Sequence, residues 1–164
     1  MIEQESPSTE DTVWRMLSAV PDPEIPVLSL VDLGIVRWVK ADTTRVRVGI
    51  APTYIGCPAT EVIAASVVHA LERNGLQATV EPVLSPPWTT DWISEAGREK
   101  LRVYGIAPPA ASAQRALLTA DLPIACPRCA STQTEKVSAF GSTPCKASYK
   151  CSDCLEPFEY FKCI

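Results

Sequence analysis

One histidine, His69, is all that the 164 residues contain. Ser–His–Asp and Cys–His relays need an imidazole held between a nucleophile and an orienting group, and the helical Glu-x-x-His pairs of di-iron oxygenases need two. The chain is therefore expected not to be an enzyme and to perform no oxygen chemistry of its own. An excess of base is also missing. Fifteen Lys and Arg stand against nineteen Asp and Glu, for a net charge of −4. Without a basic excess there is little counterion-release drive toward a phosphate backbone, so nucleic acid is not an expected partner. No run approaches the roughly 18 to 20 apolar residues that span a bilayer. The opening MIEQESPSTED has neither the basic start nor the apolar stretch of a secretory signal. These absences lead to the expectation of a cytoplasmic protein with no membrane partner. No internal repeat is evident.

What is present suits a folded protein. Apolar residues make up 46% and charged residues 21%, enough for a core in one ordinary domain or two small ones. Val13, Met16, Leu17 and Val20 recur at helical spacing and predict a helix from about Glu10 to Val20, stopped by Pro21 and Pro23. Asp22 to Pro26 then reads as a rigid acidic loop. Strands are predicted over Gly34–Lys40 and Arg45–Ile50, the second alternating Val46, Val48 and Ile50 with Arg45, Arg47 and Gly49. A helix from Ala59 to Asn74 follows, ended by Gly75 and apolar around enough of its circumference to be largely buried. A third strand is placed at Gln77–Val83 and a helix at Thr90–Tyr104, after the break at Pro86-Pro87-Trp88. The expected class is α+β: a small α/β domain over residues 1–107, a linker at 108–121, and a β-rich ribbon over 122–164.

Seven cysteines in a reducing setting are better read as ligands or reactive thiols than as disulfides. Cys126-Pro127-Arg128-Cys129 and Cys151-Ser152-Asp153-Cys154 are two C-x-x-C knuckles, separated by Ala130 to Lys150. Two such turns deliver four thiolates to one tetrahedral ion, and the intervening length suits a pair of strands with a third after Cys154. Structural zinc is the expectation. A rubredoxin-like iron site or a redox dithiol pair is the alternative, because tetrahedral sulfur accepts either metal. With about forty residues, the ribbon has too little core to fold well without its ion.

Cys57 lies apart, just before the second helix. Unpaired N–H groups and the positive end of the helix dipole there favour thiolate, while Glu61 in the first turn opposes it. The alternative is a buried cysteine acting as a small hydrophobe. One thiolate does not hold an iron–sulfur cluster, so further ligands would have to come from a second copy of the chain, a client protein, or Cys145 and Cys163. Buried packing within the ribbon is the competing reading of those two thiols. Asp22, Glu24 and Asp32 could bring carboxylates near Cys57 as auxiliary ligands or partner contacts, or simply cap their own loops. His69, Trp88 and Trp92 are read as packing residues.

Three of these segments carry a resemblance. Asp22-Pro23-Glu24, Val31-Asp32-Leu33-Gly34 and Thr53-Tyr54-Ile55-Gly56-Cys57-Pro58, in that order over residues 10 to 107, resemble the metal–sulfur cluster biosynthesis domain. That domain occurs in cytosolic iron–sulfur assembly factors and bacterial accessory proteins. With the ribbon segment Phe140 to Lys146 and the ending Phe161-Lys162-Cys163, the whole chain is similar to the accessory proteins of the phenylacetyl-CoA epoxidase system. The resemblance implies an iron–sulfur-assembly-type α/β fold and a role in aerobic phenylacetate breakdown. It makes Cys57 the counterpart of the family's reactive cysteine, with Asp22, Glu24, Asp32 and Thr53 in its companion motifs. It implies a transient iron–sulfur cluster or iron as cargo. The partners it implies are the epoxidase reductase, the oxygenase subunits and iron–sulfur assembly proteins. A non-catalytic scaffold and a thiol redox protein remain the alternatives.

Overall fold

Alternation along Arg45–Ile50 builds the centre of the first sheet. In the computed structural model, which describes residues 9–54, 56–109 and 123–162, this segment is β2. It pairs antiparallel with β1 (Val36–Ala41) and parallel with β3 (Gln77–Pro82), in the order β1-β2-β3. Val46, Val48 and Ile50 all point to one buried face. On that face lie α1 (Thr9–Leu17), through Val13 and Leu17, and α2 (Ala59–Glu72), through Ile63, Val67 and Leu71. Arg45, Arg47 and Gly49 point to the other face. A register irregularity between Val36 and Trp38 lets Val36 and Val39 both reach the core while Trp38 stays outside. The indole then lies across Gly49, where a Cβ would sit 2.2 Å from Trp38 Cε2. Only glycine fits beneath it.

The structure adjusts several expectations. α1 ends at Leu17, and a tightened turn carries the chain to Val20. α2 is buried along one stripe only, with Val62 53% exposed, because a three-stranded sheet covers one side of a helix that is apolar almost all round. Gly75 follows it at φ +78°, as its position predicts. The helix expected over Thr90–Tyr104 is interrupted: a 3-10 turn at Thr90–Trp92 is followed by extended Ile93 and then by α3 (Glu95–Tyr104). Ser94 starts α3 by accepting the N–H of Gly97 at 2.9 Å.

The chain divides into two compact units between Trp88 and Thr89. The reason is β4 (Ile106–Ala107), which pairs in parallel with β7 (Pro157–Phe161) and so draws α3 into the second unit. Arg98 holds the start of this unit by donating to the carbonyls of Thr90, at 2.7 Å, and Pro109, at 2.5 Å. Most of the expected linker, residues 110–121, lies outside the described residues. The second sheet has the order β4-β7-β6-β5, with β5 (Thr134–Ser138) and β6 (Lys146–Cys151) forming the strand pair expected between the knuckles. Among the described residues, no helix is long and apolar enough to cross a membrane.

Lys146 opens β6 with its side chain only 5% exposed, and its Nζ meets Glu159 Oε2 at 2.9 Å. Desolvation raises the Glu159 pKa, but the Ser142 N–H, the Lys146 ammonium and the Ser142 hydroxyl outweigh it and hold the carboxyl below its ordinary value. A lowered carboxylate contributes stability that is complete above its unfolded pKa of about 4.3, and that contribution is lost as pH falls through the folded value. At pH 7, Glu159→Gln strands a buried ammonium and is expected to cost the second unit about 1–3 kcal/mol. Adding Lys146→Met should recover part of the loss, as read from denaturant midpoints.

Candidate functional site

Four sulfurs converge at one end of the ribbon. The first knuckle turns between the Cys126 carbonyl and the Ala130 N–H, 2.9 Å apart, and the second is closed by the Cys151 N–H on the Glu156 carbonyl at 3.0 Å. In both, the residue after the second cysteine is left-handed: Ala130 at φ 61° and Leu155 at φ 63°. Two non-glycine residues in this region store about 1–2 kcal/mol each, which the local structure must over-determine. Cross-links between the knuckles supply part of that. Arg128 Nη1 meets Glu156 Oε2 at 2.8 Å, the Ser131 hydroxyl donates to Asp153, and the Ser152 N–H donates to the Gln133 carbonyl at 2.8 Å.

Cys126, Cys129, Cys151 and Cys154 thereby place their sulfurs within 4.8 Å of one another. Cys126 and Cys154 are 3.7 Å apart, and Cys129 and Cys151 3.6 Å, so each close pair joins the two knuckles. A tetrahedron with metal–sulfur bonds of about 2.3 Å has edges of about 3.8 Å. The donor set fits a four-thiolate metal ion. Its protonation points the same way. Cys151 is drawn down to about 7, first by the Cys154 N–H, against desolvation and with help from the Asp153 N–H and the Cys129 and Cys154 thiols. Cys129 is pushed up to about 12: the Ser131 N–H pulls it down, but desolvation and the three neighbouring sulfurs push harder. Sulfurs this close cannot all ionise unless a cation sits between them.

Cys145 and Cys163 are the further cysteines of the second unit. Cys145 is buried and contacts the Thr143 hydroxyl at 3.0 Å. It precedes β6 whereas Cys151 ends it, so a strand's length of about 20 Å separates it from the knuckles. Cys163 lies outside the described residues.

In the first unit, Cys57 sits in the turn before α2, its N–H donating to the Tyr54 carbonyl and its own carbonyl accepting from Thr60, both at 3.2 Å. It is 9% exposed, between the exposed residues Gly56 and Pro58. Pro58 occupies the helix cap position and brings no side-chain cap, so the α2 N-terminus keeps its partial positive charge facing this turn. Thr53 is half-buried in the same loop.

The candidate carboxylates are engaged locally. Asp22 Oδ1 accepts the N–H groups of Glu24, at 2.9 Å, and Ile25, at 2.8 Å. Asp32 and Ser29 cap each other: Asp32 Oδ2 accepts the Ser29 N–H at 3.0 Å, and Ser29 Oγ accepts the Asp32 N–H at 3.0 Å. That reciprocal pattern, Ser-x-x-Asp, is a capping-box arrangement whose signal stands in the sequence at Ser29-Leu30-Val31-Asp32. Glu24 is half-buried. Among the described residues the four cysteines of the ribbon form the sole group of three or more ligand side chains. Cys57, Asp22, Glu24 and Asp32 are therefore not gathered into a ready-made metal site. Trp88, read as a packing residue, is buried and donates its indole N–H to the Leu33 carbonyl at 2.9 Å. This bond pins the Asp32-Leu33-Gly34 turn from beneath.

Removing one knuckle thiol removes the ion and with it the fold of the ribbon, because a four-thiolate site supplies much of a small ribbon's folding energy. Cys151→Ser should lose bound metal and the near-ultraviolet signal of Tyr149 and Tyr160, while the α1 and α2 helices stay protected in hydrogen exchange. A metal-free variant with an intact ribbon would contradict this.

Comparison with known proteins agrees with both halves of the chain. Residues 10–82 match the family described as iron–sulfur cluster assembly protein, and residues 110–162 match the PaaD zinc beta ribbon domain. The chain is 48% identical over 160 residues to an Escherichia coli (strain K12) protein named as a putative 1,2-phenylacetyl-CoA epoxidase subunit, covering 97% of this chain and 96% of that one. It is 34% identical over 90 residues to the "Fe-S protein maturation auxiliary factor" of Porphyromonas gingivalis (strain ATCC BAA-308 / W83), covering 53% of this chain and 85% of the relative. The crystal structure of a domain of unknown function, DUF59, from Bacillus anthracis superposes with a TM-score of 0.53 at 31% identity, covering 56% of this chain and 90% of that one. An iron–sulfur assembly fold ending in a four-cysteine ribbon, matched nearly end to end by one relative, places the chain in the PaaD family, whose Escherichia coli member carries the name of a 1,2-phenylacetyl-CoA epoxidase component.

Proposed function

We propose that the chain is a non-catalytic accessory protein that helps install an iron–sulfur cluster, or iron, in a component of a phenylacetyl-CoA epoxidase, with Cys57 as the thiol that handles the cargo. The observation carrying this is the position of Cys57. It stands at the uncapped start of α2, in a loop with exposed neighbours, and it is not part of the four-sulfur group. The ribbon ion, read as zinc, is closed off by four thiolates and has no open coordination position for chemistry. Its role is structural.

A solitary thiolate suits transfer better than storage. A cluster held by one bond from this chain must take its remaining ligands from elsewhere, either a client's cysteines or a second copy of the chain. Transfer then needs a single exchange: a client thiolate forms a bond to iron as the Cys57 bond to iron breaks. No electron changes hands, and the Cys57 sulfur leaves with the electron pair of its bond to iron. Clients consistent with the family are the epoxidase reductase and oxygenase subunits, and upstream iron–sulfur assembly proteins would supply the cargo. Asp22 and Asp32 serve this chemistry indirectly, by fixing the loops of the first unit.

A scaffold role, in which the protein holds epoxidase components together without handling iron, is favoured by two observations: Cys57 is only 9% exposed and the Asp22 and Asp32 carboxylates accept N–H groups of their own loops. Co-expression separates the readings. With Cys57→Ser in place of wild type, the iron and sulfide content of the epoxidase reductase, or the iron content of the oxygenase, is expected to fall severalfold while co-purification persists. Unchanged metal content would overturn the transfer reading and leave the scaffold.

A further inference from the structure

The face of the first sheet opposite its helices carries charge of the wrong sign for an acidic chain. Strand register sets Lys40 of β1 against Arg47 of β2 and places Arg45 two residues along the same face. Trp38, flat on Gly49, lies beside them, with Lys40 Nζ 5.6 Å and the Arg47 guanidinium 5.9 Å from its ring centre. Lys40 and Arg45 are exposed, and the Arg47 side chain is 56% exposed. Arg47 is paired with Glu81 of β3 at 2.6 Å, whereas Arg45 forms no ion pair with a described residue. An open recess of about 530 Å³ lies where β1 turns into β2, between Glu10 of α1 and Lys40, Ala41, Asp42, Arg45 and Arg47.

We infer that this face is the docking surface for a protein partner presenting clustered carboxylates. Tryptophan and arginine together are the composition of binding hot spots, and rigid placement of the indole on glycine lowers the entropy lost on contact. Two cations over an aromatic plane, with Arg45 two residues further along β2, select an anionic complement. The acidic groups at the rim, Glu10, Asp42 and Glu81, disfavour a continuous phosphate backbone but tolerate a protein surface, whose carboxylates are discrete. A second copy docking face to face would set like charges against each other. The inference rests on the accessory reading above and gives the recognition chemistry of the client.

The test uses the full chain and the purified epoxidase subunits, one at a time, with binding followed by interferometry between 50 and 300 mM salt. One subunit is expected to bind, with an affinity that falls steeply as salt rises. Arg45→Glu/Arg47→Glu should weaken that binding at least about tenfold and flatten its salt dependence. Lys40→Glu/Arg45→Glu, which keeps the Arg47–Glu81 pair, should do the same and guards against a folding defect. A single-stranded oligouridylate and the chain's own self-association are measured alongside. Binding that ignores charge reversal, binding to no subunit, preference for the oligonucleotide, or a dimer abolished by the same substitutions would each overturn the inference. Failure here with metal content still dependent on Cys57 would leave the transfer reading standing. Retained charge-dependent docking with metal content indifferent to Cys57 would do the reverse.

Discussion

Four sulfur atoms within 4.8 Å of one another are stable as thiolates only around a cation, and the second unit is arranged to meet that condition. Its strands β5, β6 and β7 are short, its core is small, and two residues of the knuckles sit in left-handed backbone. Neither packing nor local preference would hold such turns in register. A four-thiolate ion would do so, and the cross-links Arg128–Glu156 and Ser131–Asp153 brace the two knuckles beside it. The metal is thus part of the fold, which is why it is a poor candidate for cargo.

The first unit is built the other way. Two of its carboxylates accept backbone N–H groups: Asp22 closes one turn and Asp32 with Ser29 closes the next, while the Trp88 indole donates to Leu33 in the second. What remains is a thiol at a helix start, outside the group of ligand side chains found among the described residues. A protein that stored iron would gather several donors at that place. One that passes iron on gains from a single exchangeable bond, and the positive end of α2 suits a transient anionic group there. The open sheet face, basic and bearing a fixed indole, gives such a protein a way to meet its client.

Much of this could be read in the sequence. The knuckle spacing singled out the four cysteines whose sulfurs converge, because two C-x-x-C turns bring four thiols to one point. The alternation of Val46, Val48 and Ile50 named the central strand, and the motif at Thr53 to Pro58 placed Cys57 before its helix. The loop-capping alternative for Asp32 was legible too, because Ser29-Leu30-Val31-Asp32 is a capping-box pattern. Ser94 before Glu95 marks the true start of α3. Two features were not legible. β4 is two residues long and is defined only by its pairing with β7, which is a tertiary fact. The one-sided burial of α2 depends on how many strands lie beneath it, which helical periodicity does not report.

Apart from Cys145, which is buried beside β6, the described cysteines are proposed to fall into two kinds: four that would close around a structural ion and one, Cys57, available to exchange. Timed alkylation of the native protein with iodoacetamide, read by peptide mass spectrometry, tests this directly. The account predicts that Cys57 is modified first and that Cys126, Cys129, Cys151 and Cys154 are protected until a chelator is added. If Cys57 were as protected as the knuckle sulfurs, the account of an exchangeable thiol would be wrong.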